Sequence, residues 1–149
     1  MEIISGLYVI KGRAANCYLI NKAGELSLID TGLPGNHKHI IAYLEGLDFQ
    51  IQQLKQILIT HADGDHYGSL SALKKISGAK VYASPIEAQA IQEGIQSRPL
   101  KLQGLKKFLF RVTYPLFKPK AVPVDHLLEE GKSLPTFGGL RVIPTPGHT

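Results

Sequence analysis

Thr60-His61-Ala62-Asp63-Gly64-Asp65-His66 places four potential metal ligands within six positions, directly after the apolar run Gln56-Ile57-Leu58-Ile59. A strand followed by a tight loop thus delivers two imidazoles and two carboxylates to one place, and the residues after His66 read as a helix. Four such side chains crowded at a strand end must be solvated, paired with one another or bound to a cation. A plain polar turn needs one helix-capping residue, and Asp65 stands where that cap belongs. It does not need His61, Asp63 and His66 as well. Gly64 gives the backbone room to fold between the two carboxylates, as a ligand loop requires.

The rest of the chain limits what such a loop can serve. Its 149 residues suffice for one domain with a core, and its composition is that of an ordinary globular protein. The apolar runs are too short for a transmembrane helix, and Met1-Glu2-Ile3-Ile4-Ser5-Gly6 has neither the basic nor the apolar region of a secretory signal. Cys17 is the single cysteine, which excludes an internal disulfide and a cysteine-based zinc site and fits a reducing, cytoplasmic setting. Within Asn16-Cys17-Tyr18-Leu19-Ile20 it reads as a small buried hydrophobe on a strand.

Strands are predicted at Leu7 to Ile10, Asn16 to Ile20, Leu26 to Ile29, Gln56 to Thr60, Lys80 to Ala83, Val124 to Leu128 and Leu140 to Ile143. Asn36 is placed to cap a helix with Ile40, Ile41, Leu44 and Leu47 inward. A second helix runs from about His66 to Gly78 with Leu70, Leu73 and Ile76 inward. Ser84, Pro85 and Glu87 form a capping-box start for a third. Strands alternating with helices argue for a layered α/β domain. His37, His39 and His126 read as surface residues, and no repeat or low-complexity tract is present.

The ligand loop resembles the His-x-His-x-Asp-His signature of the metallo-β-lactamase superfamily. In the family's order, Asn16-Cys17-Tyr18-Leu19-Ile20, Leu28-Ile29-Asp30-Thr31-Gly32 and Thr145-Pro146-Gly147-His148-Thr149 match further family motifs. The resemblance covers the chain from about Leu7 to its end. It implies a four-layer αββα sandwich with metals at the edge of two sheets. In that arrangement His61, Asp63 and His148 would ligate one metal, Asp65 and His66 would contribute to a second, and Asp30 would support the site from beneath. It also implies a hydrolase that opens an ester, thioester, lactone or related bond of a small molecule with a metal-bound hydroxide. Asp65 would then bind the metal or orient the water. The sequence offers no Gly-x-Ser-x-Gly elbow as a competing nucleophile.

Two departures qualify the match. Asp63 occupies a position where most members have histidine, and an anionic ligand hardens the site. Zinc is the expected metal, as one or two ions, with iron or manganese the alternatives; a flavodiiron-like redox protein with iron and a flavin-bearing partner domain is a second reading. The other departure is the ending. Members usually continue with a bridging Asp, further strands, a last histidine and a covering helix, so residues 1–149 are expected to be the N-terminal portion of a longer domain. A tightly associated or swapped homo-oligomer, or a catalytically incomplete interaction module, are the alternatives.

The charge is concentrated in one segment. The net charge is +5, yet the stretch between Gly94 and Val124 holds seven Lys and Arg and no Asp or Glu, leaving the remainder at −2. This segment, 98–123, is a basic and partly amphipathic insertion. It reads as a solvated element packed on the sandwich, as a lid admitting an anionic or lipid-like substrate, or as a membrane-contacting surface. Nucleic acid is disfavoured, because cations on a proline-broken segment define no groove.

Overall fold

The computed structural model describes residues 1–97, 104, 112, 114, 118–136 and 139–147. His148 and most of the basic segment lie outside the described residues; Lys118 and Lys120, at its end, are exposed.

Short strands rich in Leu, Ile and Val build one seven-stranded mixed sheet in sequential order. The first four, β1 (Glu2–Ile4), β2 (Leu7–Ile10), β3 (Cys17–Lys22) and β4 (Glu25–Ile29), pair antiparallel. Tight turns suffice to join them. From β4 onward the pairing is parallel, through β5 (Leu54–Leu58), β6 (Lys80–Ala83) and β7 (His126–Leu127). Parallel neighbours need crossovers, and helices supply them: α1 (His37–Glu45), then α2 (Gly64–Tyr67) with α3 (Leu70–Ser77), then α4 (Pro85–Glu93). A short ladder of β8 (Ser133–Leu134) and β9 (Leu140–Arg141) forms a second sheet.

Alternation along the strands divides the sheet into two faces. Leu26, Leu28, Ile57 and Val81 form one continuous core with Ile40, Leu44, Leu70, Leu73 and Ile91 of the helices, all fully buried. Burial of each such side chain contributes about 1.5–3 kcal/mol. The opposite face carries Ser27 and Gln56, whose side chains hydrogen-bond; Thr136, beside β8, donates to Gln56 Oε1 at 2.8 Å. The second, smaller sheet therefore lies on the face away from the helices.

Several local expectations are corrected. The helix predicted from His66 is broken: α2 ends at Tyr67, with Gly68 as its cap, and α3 begins after Ser69. A Cβ on Gly68 would stand 2.5 Å from Pro34 Cδ and 2.3 Å from the Gly64 carbonyl oxygen, so the break seats this backbone against the loop before α1. Ile76 faces outward, 44% exposed. Asn36 precedes α1 but caps nothing; its Nδ2 donates instead to the Thr31 carbonyl and toward Cys17 Sγ. The last strands are shorter than predicted, and β1 and β8 were not foreseen. His37 is partly buried rather than exposed, while His39 and His126 lie at the surface. Cys17 is fully buried, and burial together with the Asp30 charge pushes its thiol up to about 12, which leaves it chemically inert.

Asp125 fastens the crossover side of the sheet. Its Oδ2 accepts from Lys74 Nζ of α3 at 2.7 Å and from the Val81 N–H of β6 at 2.8 Å, with Lys80 Nζ 3.7 Å from Oδ1. Partial burial works against its ionisation, but the two lysines and the amide outweigh that and hold its carboxyl below the ordinary 3.8. Solvent screens the pair, so Asp125→Ala is expected to cost about 1 kcal/mol at neutral pH. A lowered folded-state pKa means that the contribution is fully present above the unfolded value and is lost as pH falls through the folded one. Urea melts should therefore separate wild type from variant at pH 7 and converge as pH falls below the ordinary carboxylate range. A gap that persists in acid would contradict this.

Among the described residues, no helix is long and apolar enough to cross a membrane.

Candidate metal centre

β5 ends at Leu58, and Ile59 is held by its N–H to Tyr82 O, so the chain leaves the sheet at Thr60. Asp30 leaves the neighbouring β4 at the same level, where its own N–H donates to Leu58 O. Asp30 adopts a left-handed backbone, φ 60, which short polar residues tolerate and bulky ones do not. That conformation turns its carboxylate beneath the ligand loop. Oδ1 accepts from Thr60 N–H at 2.9 Å; Oδ2 accepts from Thr60 Oγ1 and from His66 Nδ1, each at 2.8 Å.

A carboxylate can only accept, so the His66 Nδ1 carries the proton and Nε2 presents its lone pair away from Asp30. The next residues interlock as well: both Thr31 N–H and Thr31 Oγ1 donate to His66 O, and Gly32 bridges to Tyr67. Asp30-Thr31-Gly32 thereby fixes His66 through its ring and its backbone.

Four expected loop residues come together here. His61 Nε2 lies 3.6 Å from Asp63 Oδ2, and His66 Nε2 lies 3.8 Å from Asp65 Oδ2. The two imidazoles pack with ring centroids 3.9 Å apart. Two donors bound at about 2.1 Å to one tetrahedral ion stand about 3.4 Å apart, so each imidazole–carboxylate pair has nearly the spacing that a shared cation demands. Donor chemistry agrees, since imidazole and carboxylate are the ordinary ligands of zinc and related divalent ions. Among the described residues, no three of these groups converge on one point; the loop presents two pairs. His148, assigned to the first of them, lies outside the described residues.

Electrostatics distinguish the four. Asp63 is buried and Asp65 is half open, its side chain 36% exposed against 6% for Asp63. Burial pulls the His66 imidazole down, but the Asp30 hydrogen bond and the charges of Asp30, Asp65 and Asp63 outweigh it, and the net direction is upward. Anionic surroundings of this kind also favour a cation.

The loop backbone differs from expectation in two details. Asp63, not Asp65, occupies the cap position of α2, and Asp65 lies in its first turn. Gly64 opens that helix with no left-handed backbone; a Cβ there would press on the Gln96 amide at 3.3 Å. The sequence reading missed Thr60, Tyr67 and Glu87 altogether as parts of the site's frame. Tyr67, 1% exposed, donates its hydroxyl to Ile95 O at 2.6 Å. The signal for Glu87 was a carboxylate on the same helix face as Ala88 and Ile91.

A cleft of about 690 Å³ lies between the β2–β3 loop and the start of α1; none of the four loop ligands lines it, and Gly32, which bridges to Tyr67, is its link to the centre. Lys11 and Arg13 line it from the β2–β3 loop, Gly32 and Leu33 from the segment after Asp30, and Lys38 and His39 from α1; among the described residues no carboxylate lines it.

A family model described as Metallo-beta-lactamase superfamily matches residues 10–149. An uncharacterized protein of Bacillus subtilis (strain 168), YobT, is 38% identical over 141 residues, covering 90% of this chain and 53% of the relative. YflN of the same organism, described as a probable metallo-hydrolase, is 27% identical over 99% of this chain and 58% of its own length. The crystal structure of LRA-12, a class B3 di-zinc metallo-beta-lactamase from an Alaskan soil metagenome, superposes with a TM-score of 0.79 at 27% identity. It covers 97% of this chain and 51% of that one. The chain thus spans little more than half the length of these three relatives. With the family model matched over nearly the whole chain, and a mixed α/β fold that superposes on a member, the chain belongs to the metallo-beta-lactamase superfamily.

Proposed function

We propose that the protein is a metal-dependent hydrolase of small anionic substrates, cleaving an ester, thioester, lactone or related bond. The observation that carries this reading is the pair of imidazole–carboxylate spacings, 3.6 and 3.8 Å, side by side on one loop. His61 and Asp63 would hold one ion with His148, and Asp65 and His66 would contribute to a second. Zinc is the metal these donors and the di-zinc relative favour; the carboxylate at Asp63 also suits iron or manganese. When bound, such an ion lowers the pKa of water and polarises the bond to be cleaved.

The chain's own residues do the rest. Asp30 keeps the His66 proton on Nδ1. Asp63, buried within the loop, would neutralise charge on the ion it holds. Asp65, the more open of the two carboxylates, would orient water and accept its proton. The cleft lined by Lys11, Arg13, Lys38 and His39 supplies a positive potential that draws in and orients an anionic group.

The test is hydrolysis of paired neutral and carboxylate-bearing esters, thioesters and lactones by protein loaded with zinc. Activity should vanish with chelator and return with metal. In a Lys11→Ala, Arg13→Ala double variant, KM for the anionic member should rise about tenfold with kcat unchanged, the size of one lost charge contact. An unchanged KM would remove the cleft from the account, and activity indifferent to chelator would remove the metal.

A further inference from the structure

We propose that Glu87 is a positioning residue for the ligand loop, acting through the Ala62 peptide with Ser97 as its partner. Ala62 stands between His61 and Asp63, and its side chain is fully buried. Its N–H donates to Glu87 Oε2 at 2.6 Å, and its carbonyl accepts the Ser97 N–H at 3.2 Å. The Ser97 hydroxyl closes the arrangement by donating to the same Glu87 oxygen. Both backbone polar groups of the one residue that separates two candidate ligands are therefore gripped from outside the loop.

Helix capping does not account for Glu87. Ser84 Oγ accepts the Glu87 N–H at 3.3 Å, but the Glu87 carboxylate does not reach back as a capping box would; it turns to Ala62. The residue is 4% exposed, on the face of α4 that also buries Ala88 and Ile91. Keeping a carboxylate there is costly unless its hydrogen bonds are made, and the loop makes them. The stretch after α4 is tied to the same place a second time, by Tyr67 donating to Ile95 O. Glu87, Ser97 and Ile95 thus brace the loop from the α4 side as Asp30 braces it from the β4 side. The consequence is a fixed Ala62 backbone that keeps His61 Nε2 and Asp63 Oδ2 at the spacing of two ligands on one ion. Groups that orient ligands in this way typically change metal affinity by about 10–100-fold when removed.

This inference rests on the metal reading of the loop, and its test separates the two. Cobalt(II) is titrated into metal-free wild type, Glu87→Gln, Glu87→Leu and, as a stability control remote from the loop, Asp125→Ala. Visible absorption reports the ligand field, and thermal melts of the metal-free proteins report folding. Glu87→Leu is expected to bind cobalt about 10–100-fold more weakly with an altered spectrum, whereas Glu87→Gln, which retains an acceptor for Ala62, stays within about threefold. Asp125→Ala should lose stability without any change in spectrum. Wild-type affinity and spectrum in Glu87→Leu would overturn the proposal while leaving the metal reading intact; no cobalt uptake by wild type would overturn both. Should Glu87→Leu fail to fold, amide exchange of the wild type decides. The Ala62 N–H must be strongly protected, and exchange at the rate of an open loop would refute the brace.

Discussion

Asp30→Asn is expected to leave the protein folded and to weaken metal binding by about 10–100-fold. The reasoning follows the proton. Asparagine accepts the left-handed backbone at φ 60 as readily as aspartate, and its Oδ1 can still take the Thr60 N–H. Its Nδ2, however, is a donor facing His66 Nδ1, where a carboxylate oxygen accepted at 2.8 Å. The imidazole must then offer a lone pair at Nδ1 and move its proton to Nε2, the atom turned toward Asp65. A protonated Nε2 cannot ligate a metal. Stability should fall by only about 1–1.5 kcal/mol, because the two hydrogen bonds at Oδ2, from Thr60 Oγ1 and His66 Nδ1, are reversed or weakened and not left unmade. Competitive zinc titration against a chelating dye, together with nitrogen-15 spectra of the His66 ring, checks both halves. Wild-type affinity with the proton still on Nδ1 would show that Asp30 does not govern the tautomer.

Gly68→Ala carries the largest expected cost in stability. The added methyl would sit 2.3 Å from the Gly64 carbonyl oxygen and 2.6 Å from Pro34 N, both of them backbone atoms that no rotamer change can move. Overpacking of this sort costs about 1–3 kcal/mol, and the upper end is expected here because the displaced segments are α2 and the loop before α1. For a chain of this size a melting temperature lower by about 6–12 °C follows. The same displacement would pull the Thr31–His66 contacts apart, so metal affinity should fall with stability, unlike the Asp30→Asn result. A melting temperature within 2 °C of wild type, on the order of less than one kcal/mol, would contradict the packing described for this junction.

These two cases show what the sequence could and could not disclose. The ligand loop was legible because its residue types have little other reason to gather, and because Gln56-Ile57-Leu58-Ile59 announces the strand that carries it. Leu7 to Ile10 and Lys80 to Ala83 were legible from their apolar character and flanking turns, and both match the strands observed. Asp30 was suggested by the resemblance and not by its own neighbourhood, where an Asp before Thr-Gly reads equally well as a turn.

The misreadings share one cause. Asn36, Gly64 and Glu87 were assigned local duties as cap, turn former and capping box, whereas each is committed to a residue distant in sequence or to a packing contact. Asn36 reaches Cys17 on β3, Gly64 makes room for Gln96, and Glu87 holds Ala62. Gly68 broke a helix that its neighbours would have continued, because Pro34 lies against it. Propensity cannot anticipate contacts of this type, since they exist only after the sheet has brought β4 and β5 together. Glu87 left one trace, a charge on the apolar face of its helix, and that pattern identifies a buried polar connection more reliably than the capping motif it imitates.

The identity of the metal and the hydrolysed bond both depend on whether the loop holds an ion at all. The direct measurement is elemental analysis of the protein purified without chelator, alongside a His61→Ala, Asp65→Ala double variant that removes one candidate ligand from each pair. The account predicts one to two transition-metal ions per chain in the wild type, zinc foremost, and a loss of most of that metal in a variant that still folds. Metal-free wild type, or equal metal in both proteins, would contradict it.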